Sequence, residues 1–341
     1  MKFAIIGCGR IANNKHIDAI RKAGGEIAIV CDIIKDRAEK TANKVGCKYT
    51  LNYEEVLDET IDIIDICTPS GLHPKMAVKA LSKGFHVITE KPMALKIIDA
   101  EHMISTAEDY DRKLFVVKQN RFNPPIIKLK EAIDNRRFGR IISGTICVRW
   151  YRDDNYYKMD NWHGTKSLDG TVLHNQASHH VDLLLWFLGE PKSVFAYGST
   201  NHKIEVEDTI HVVVKFKNGA IGNIEATTCA FNRNPLIQND MEGSITILGE
   251  RGSVKIGGFA VNKIEHWDFA DWKKEDNRVK EVSTNPPNVY GYGHIEFMKH
   301  VIKTLKNGGN HLDGNEGIKS LYLIEAIEES LRTGKEAKIC K

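Results

Sequence analysis

The sequence has no long apolar run. The stretch after Met1-Lys2 extends only from Phe3 to Ile6, too short for a signal peptide or a membrane span. A cytoplasmic protein without membrane contact is expected. Runs of like charge are missing too: 48 Lys and Arg against 45 Asp and Glu leave a net charge of +3. That balance is too mild for a nucleic-acid partner. The seven cysteines (Cys8, Cys31, Cys47, Cys67, Cys147, Cys229 and Cys340) form no CxxC pair. Most sit in apolar strands, where Cys behaves as a small hydrophobe, and a reducing compartment suffices. There is no internal repeat and no low-complexity linker. What remains is globular: 42% hydrophobic and 27% charged over 341 residues. That length exceeds one ordinary core, and the pattern divides it into domains at 1–120 and 121–341.

Up to Gln119 short apolar strands alternate with helical stretches. Strands are predicted at Lys2–Ile6, Glu26–Cys31, Lys48–Thr50, Ile61–Cys67, Phe85–Thr89 and Leu114–Lys118. Helices are predicted at His16–Ala23, Lys35–Val45, Pro74–Lys83 and Ile97–Tyr110. Such alternation implies a doubly wound parallel sheet of α/β class.

The first turn reads Gly7-Cys8-Gly9-Arg10-Ile11-Ala12. Gly7 permits a tight turn, Gly9 lets a pyrophosphate approach the backbone, and Ala12 lets the helix pack on the sheet. Asp32 closes the second strand, where an acid accepts from ribose hydroxyls and repels a 2′-phosphate; NAD is therefore favoured over NADP. Thr68, Ser70 and His73 follow the fourth strand, and Gln119 follows the sixth. The fifth strand ends in Thr89-Glu90-Lys91-Pro92, placing a carboxylate and an ammonium at the edge where such sheets bind ligands. Candidate cofactor contacts are Gly7, Gly9, Arg10, Ile11, Asp32, Thr68, Ser70, His73, Glu90, Lys91 and Gln119, with Trp162 from the second half.

After Gln119 comes a helical stretch, Ile126–Ile133. Alternating strands follow at Ile141–Trp150, Val194–Ser199, Ile210–Phe216, Ala220–Thr227, Ser244–Leu248, Gly252–Ile256 and Lys263–Trp267. Hairpins are expected at Asn218-Gly219 and at Leu248–Gly252, and a closing helix at Gly317–Leu331. This is an α+β domain with an open, largely antiparallel sheet. The segment from Tyr151 to Asp182 is dense in aromatic and hydrogen-bonding side chains, as a sugar site requires. Arg152, Tyr157, Asn175, Gln176 and His179 are candidate substrate contacts. On a continuous helix Asn175 and His179 would share a face, and Asp182 would lie one turn on. The spacing of His174, His179 and His180 matches no standard zinc set, and no metal is expected.

Taken together, Gly7–Ala12, Thr68-Pro-Ser with His73, Glu90-Lys91-Pro92 and His179-His-Val-Asp182 resemble the glucose-fructose oxidoreductase / inositol dehydrogenase family along nearly the whole chain. The resemblance implies an NAD-binding Rossmann domain, a second domain whose sheet mediates dimers or tetramers, and a catalytic pair, Lys91 and His179. Where the family more often has Asp four residues before that His, this chain has Asn175. Val117–Arg121, Asn175–His179, Glu205–Thr209 and Glu242–Gly249 look like the family's UDP-N-acetyl-2-amino-2-deoxy-D-glucuronate dehydrogenases, with His163 where related sequences tend to have Arg. That branch oxidises C3 of a UDP-sugar for surface-polysaccharide biosynthesis. On this resemblance His179 is the general base and Lys91 a cation beside the reacting oxygen. The opposite assignment, with a desolvated Lys91 as base, stays open. So do UDP-N-acetylglucosamine or inositol as substrate, and a non-catalytic NAD-sensing regulator.

Overall fold

The computed structural model describes residues 1–231, 241–286, 288–309 and 312–339; Cys340 falls outside them. In chain order the elements are β1 (Lys2–Ile6), a π-helical turn (Ala12–His16), α1 (Ile17–Lys22), β2 (Glu26–Cys31), α2 (Lys35–Val45), β3 (Lys48–Thr50), α3 (Tyr53–Val56), β4 (Ile63–Ile66), α4 (His73–Ser82), β5 (His86–Thr89), α5 (Ile97–Asp109) and β6 (Leu114–Val116). Next come α6 (Pro124–Asp134), β7 (Ile141–Arg149), α7 (Asp154–Lys158), α8 (Val172–Asn175), α9 (Ser178–Leu188), β8 (Pro191–Ser199), β9 (Thr209–Phe216) and β10 (Ile221–Thr227). The chain then adds β11 (Glu242–Gly249), β12 (Gly252–Gly257), β13 (Lys263–Phe269), α10 (Gly293–Asn307), α11 (Gly314–Thr333) and β14 (Ala337–Lys338).

Two compact units result: Met1–Gln119 with Gly293–Ile318, and Asn120–Tyr292 with Lys319–Lys341. The first holds a six-stranded sheet in the order β3-β2-β1-β4-β5-β6, with every pair parallel. The order reverses between β1 and β4, the crevice where doubly wound sheets take dinucleotides. β4 is buried along its length, as the apolar runs of parallel strands require.

The predicted boundary at 120/121 needs one correction, because Gly293–Ile318 returns to the first unit. The cause is local. α10 carries a buried stripe of Phe297, Met298, Val301 and Ile302 and packs on α1. Beyond it, the Leu312 carbonyl accepts from the Val116 amide at 3.0 Å, closing the free edge of β6. Gly293 is required at the start of α10, since a Cβ there would stand 1.9 Å from the Gln119 carbonyl oxygen.

The second unit holds an eight-stranded sheet, β13-β12-β11-β7-β10-β9-β8-β14, antiparallel except where β10 pairs with β7. Both predicted hairpins form, β9–β10 and β11–β12. Leu183, Leu184 and Phe187 of α9 and Leu323, Ile324 and Ile327 of α11 join the sheet residues in one core. β9 alternates buried and exposed residues, so one sheet face is covered and the other open. The open face carries exposed Tyr197 and Val213 and an Arg149 held by Glu225 and Glu242. Among the described residues no helix is long and apolar enough to cross a membrane.

Gly293→Ala forces a shift of backbone rather than of a side-chain tip. It is expected to lower stability by about 2 kcal/mol or more, measured by urea unfolding. An unchanged midpoint would mean that the start of α10 has room.

Candidate functional site

The turn after β1 has the geometry its residues predict. Gly7 sits at φ +99° with the Cys67 carbonyl oxygen 2.6 Å from where a Cβ would lie, so only glycine fits. A Cβ on Gly9 would meet nothing within 4 Å, leaving the open approach a pyrophosphate needs. Ala12 is fully buried. Arg10 is exposed and Ile11 half-buried at the head of the π-helical turn; such turns recur at functional sites. Asp32 accepts from the Cys8 amide at 2.9 Å and from the Ile34 amide at 2.8 Å. It thereby ties the first turn to the end of β2. A carboxylate has about four acceptor positions, so this bracing leaves capacity for ribose hydroxyls.

At the end of β4, Thr68 is half-buried and Ser70 buried, the latter opening a 3-10 turn. His73, a predicted cofactor contact, has both ring nitrogens turned to the main chain. Its Nδ1 lies 2.9 Å from the Pro92 carbonyl and its Nε2 2.8 Å from that of Thr68. Burial lowers its pKa, while the two carbonyls, which can only accept, favour the doubly protonated ring. Gln119 is buried.

Glu90 and Lys91 follow β5, with a cis Lys91–Pro92 peptide. Glu90 Oε2 accepts from the Lys91 amide at 3.0 Å, and Oε1 lies 2.8 Å from His16 Nε2. Burial would raise the Glu90 pKa, but the His16 hydrogen bond and charge hold it well below the ordinary range. Lys91 is half-buried.

In the second unit the polar segment folds around its own hydrogen bonds. Arg152 donates to Gln176 Oε1 at 3.1 Å, and Gln176 donates to the Tyr156 hydroxyl at 3.0 Å. Arg152 also lies over the Trp150 and Tyr156 rings. The Tyr157 hydroxyl pairs with Thr228 at 2.8 Å. Trp162 stacks on His163 with centroids 3.9 Å apart. Tyr157, Asp169, Asn175, Gln176, Glu207 and Thr228 are among the residues lining a cavity of ≈ 10 Å³, room for about one water. The predicted substrate contacts Tyr157, Asn175 and Gln176 thus line one small cavity.

His179 is half-exposed whereas His180 is buried against Trp150, so of the pair His179 is the accessible ring. The shared helix predicted for Asn175 and His179 does not form. α8 ends at Asn175, and Gln176-Ala177 turn before α9 begins. The Gln176 and Ala177 amides both turn to the Val172 carbonyl, closing the helix, while the Asn175 side chain donates to Asp169 and that of Gln176 meets Arg152 and Tyr156. Asp182 accepts from Arg121 through both oxygens, at 2.8 and 2.7 Å, a bidentate charge-assisted pair.

Sequence reasoning missed Asp169, whose buried carboxylate also accepts from the Gly164 amide at 2.6 Å. It missed Tyr156, and it missed His16 with Asp65. An acid inside the apolar strand Ile63–Ile66 was the available signal for the last pair.

Comparison with known proteins agrees with this geometry. The description "Oxidoreductase family, NAD-binding Rossmann fold" matches residues 1–118, and "GFO/IDH/MocA C-terminal domain" matches 126–255. The chain belongs to the GFO/IDH/MocA family and is an NAD-binding oxidoreductase. Within the family it is similar to the WlbA dehydrogenase of Chromobacterium violaceum, solved with NADH and UDP-GlcNAcA. Identity is 41%, coverage 100% of this chain and 96% of that one, and the TM-score 0.92. The WlbA dehydrogenase of Bordetella pertussis, solved with the same two ligands, is 38% identical over 100% of this chain and 98% of its own, TM-score 0.94. Myo-inositol 2-dehydrogenase of Thermotoga maritima is 26% identical over 99% of this chain and 98% of that protein.

Wild-type protein is expected to prefer NAD to NADP, and Asp32→Ala to weaken NAD on the order of tenfold to a hundredfold. Titration of both dinucleotides by protein fluorescence tests this. A wild type that prefers NADP would overturn the role given to Asp32.

Proposed function

We propose that the chain oxidises the C3 hydroxyl of UDP-N-acetyl-2-amino-2-deoxy-D-glucuronate to the 3-keto sugar in the cytoplasm, on the way to a surface polysaccharide. The observation that carries this reading is the similarity, at 41% and 38% identity over the full chain, to WlbA dehydrogenases that bind UDP-GlcNAcA. The polar segment supports it. Arg152 offers the planar donor set suited to a uronate carboxylate or a diphosphate, and Tyr157, Asn175 and Gln176 bring hydrogen-bonding groups close together around one small cavity.

NAD, when bound, supplies the hydride acceptor; Gly7, Gly9, Arg10, Ile11, Asp32, Thr68, Ser70, His73, Glu90, Lys91, Gln119 and Trp162 are the residues proposed to hold it. His179 takes the proton from the C3 hydroxyl, work suited to an imidazole with a pKa near the working pH. Lys91 stays cationic and donates to the same oxygen, stabilising negative charge as it develops. The open face of the second unit's sheet, with Tyr197 and Val213 exposed, is the proposed surface for self-association into dimers or tetramers.

The test is NADH formation followed at 340 nm with UDP-GlcNAcA, UDP-N-acetylglucosamine and myo-inositol as separate substrates. The uronate is expected to give the highest kcat/KM. Preference for either of the others would move the protein to another member of the family's chemistry, and no turnover with any would favour a sensing role. Lys91→Met and His179→Asn are each expected to lower kcat by on the order of a hundredfold or more while NAD still binds. Val213→Glu is expected to reduce the sedimentation coefficient; a wild-type monomer would remove the open sheet face from the proposal.

A further inference from the structure

His16 lies fully buried in the first unit, between two acids from different strands. Its Nδ1 is 2.7 Å from Asp65 Oδ2, within β4, and its Nε2 is 2.8 Å from Glu90 Oε1, just past β5. The other oxygen of Glu90 holds the Lys91 amide. A continuous chain of hydrogen bonds therefore runs from inside the sheet to the main chain of Lys91. From the far side, His73 holds the carbonyl of Pro92.

We propose that His16 and Asp65 are positioning residues for Lys91: with Glu90 they form a buried carboxylate–imidazolium–carboxylate chain that fixes the Lys91 backbone and keeps its ammonium protonated. The inference deepens the proposed function and rests on Lys91 acting as a cation there. Its physical basis is charge. Two carboxylates around one imidazolium leave one net negative charge on a group whose Glu90 oxygen holds the Lys91 amide, and where water is partly excluded a neighbouring opposite charge favours the charged form. The electrostatic coupling of Lys91 to Glu90 runs the same way.

The surroundings of His16 agree. Desolvation alone would lower its pKa, but Asp65 and the neighbouring groups hold it well above the ordinary histidine value. From the end of β4, the Cys67 sulfur is 3.4 Å from Nδ1; burial pushes that thiol up to about 12, so it stays neutral. From α10, the His294 ring lies 5.5 Å from that of His16. His294 has no hydrogen-bond partner among the described residues, and burial with the charge of His16 holds it down at about 3. It adds cover and no charge. Lys15, on the same turn, is lowered by partial burial with Asp18 opposing; together with Lys91 it completes the charged groups around this cluster. Because the folded value for His16 is raised, its stabilising contribution is complete below about pH 6.5 and is lost as pH rises through the folded value.

The test uses the full-length protein labelled with [15N]histidine and [13Cε]lysine, with His16 and Lys91 signals assigned by their loss in His16→Asn and Lys91→Met. His16 is expected to be doubly protonated at pH 8 in the wild type and singly protonated there in Asp65→Asn. In Glu90→Gln, whose amide oxygen still accepts from the Lys91 amide, the Lys91 titration is expected to fall by about one pH unit or more. A neutral His16 at pH 8 in the wild type overturns the proposal, as does a Lys91 titration that Glu90→Gln leaves in place. A purely structural role would lower the melting temperature of these variants without moving the Lys91 titration. Near-normal turnover by Lys91→Met would instead sink the assigned function, while the NMR titrations judge the buried chain separately.

Discussion

Charges at the end of a buried parallel strand must be held by other charges, because the neighbouring strands exclude the water that would otherwise solvate them. β4 and β5 lie side by side in the sheet, and each brings an acid to this region, Asp65 and Glu90. One imidazole, His16, meets both. It can do so because the first helical segment after the glycine turn is a π-helical turn, Ala12–His16, whose last residue is that histidine. The dinucleotide turn and the strand end that presents Lys91 are thus joined through one side chain. Loss of one partner would leave an uncompensated buried charge, the costly case for such networks.

The same economy of partners shapes the second unit. Asp169 accepts from the Gly164 amide and from Asn175, and Gln176 links Arg152 to Tyr156. These bonds hold an irregular segment that backbone ladders do not. Polar groups that would be a liability in a plain interface become a preorganised set of donors and acceptors. An Arg held by an amide oxygen and two aromatic faces presents its remaining donors at low entropic cost.

Much of the fold was legible. Strands β1, β2 and β3 and helix α2 have the predicted bounds, since period and turn chemistry are local properties. Gly7 and Gly9 declared their roles through spacing, and Glu90-Lys91 through position at a strand end. What went unread shares a cause. α10 went unrecognised, and its residues return to a sheet completed far earlier in the chain. The spacing around His73 says nothing of Pro92, whose carbonyl its ring meets. Asn175 and His179 were joined by helical periodicity, but the main chain turns at Gln176 and Ala177, whose amides both bond the Val172 carbonyl.

Sequence by itself determined the class of fold, the nucleotide turn and the chemical types available at the strand ends, because each depends on residues close together in the chain. Only tertiary structure decided which of those groups are partnered. That His16, Asp65 and Glu90 form one buried chain depends on the order of strands in the sheet and on a turn that starts from another strand. No local pattern encodes it, because the energy of a buried charge is set by what the fold brings within hydrogen-bonding distance.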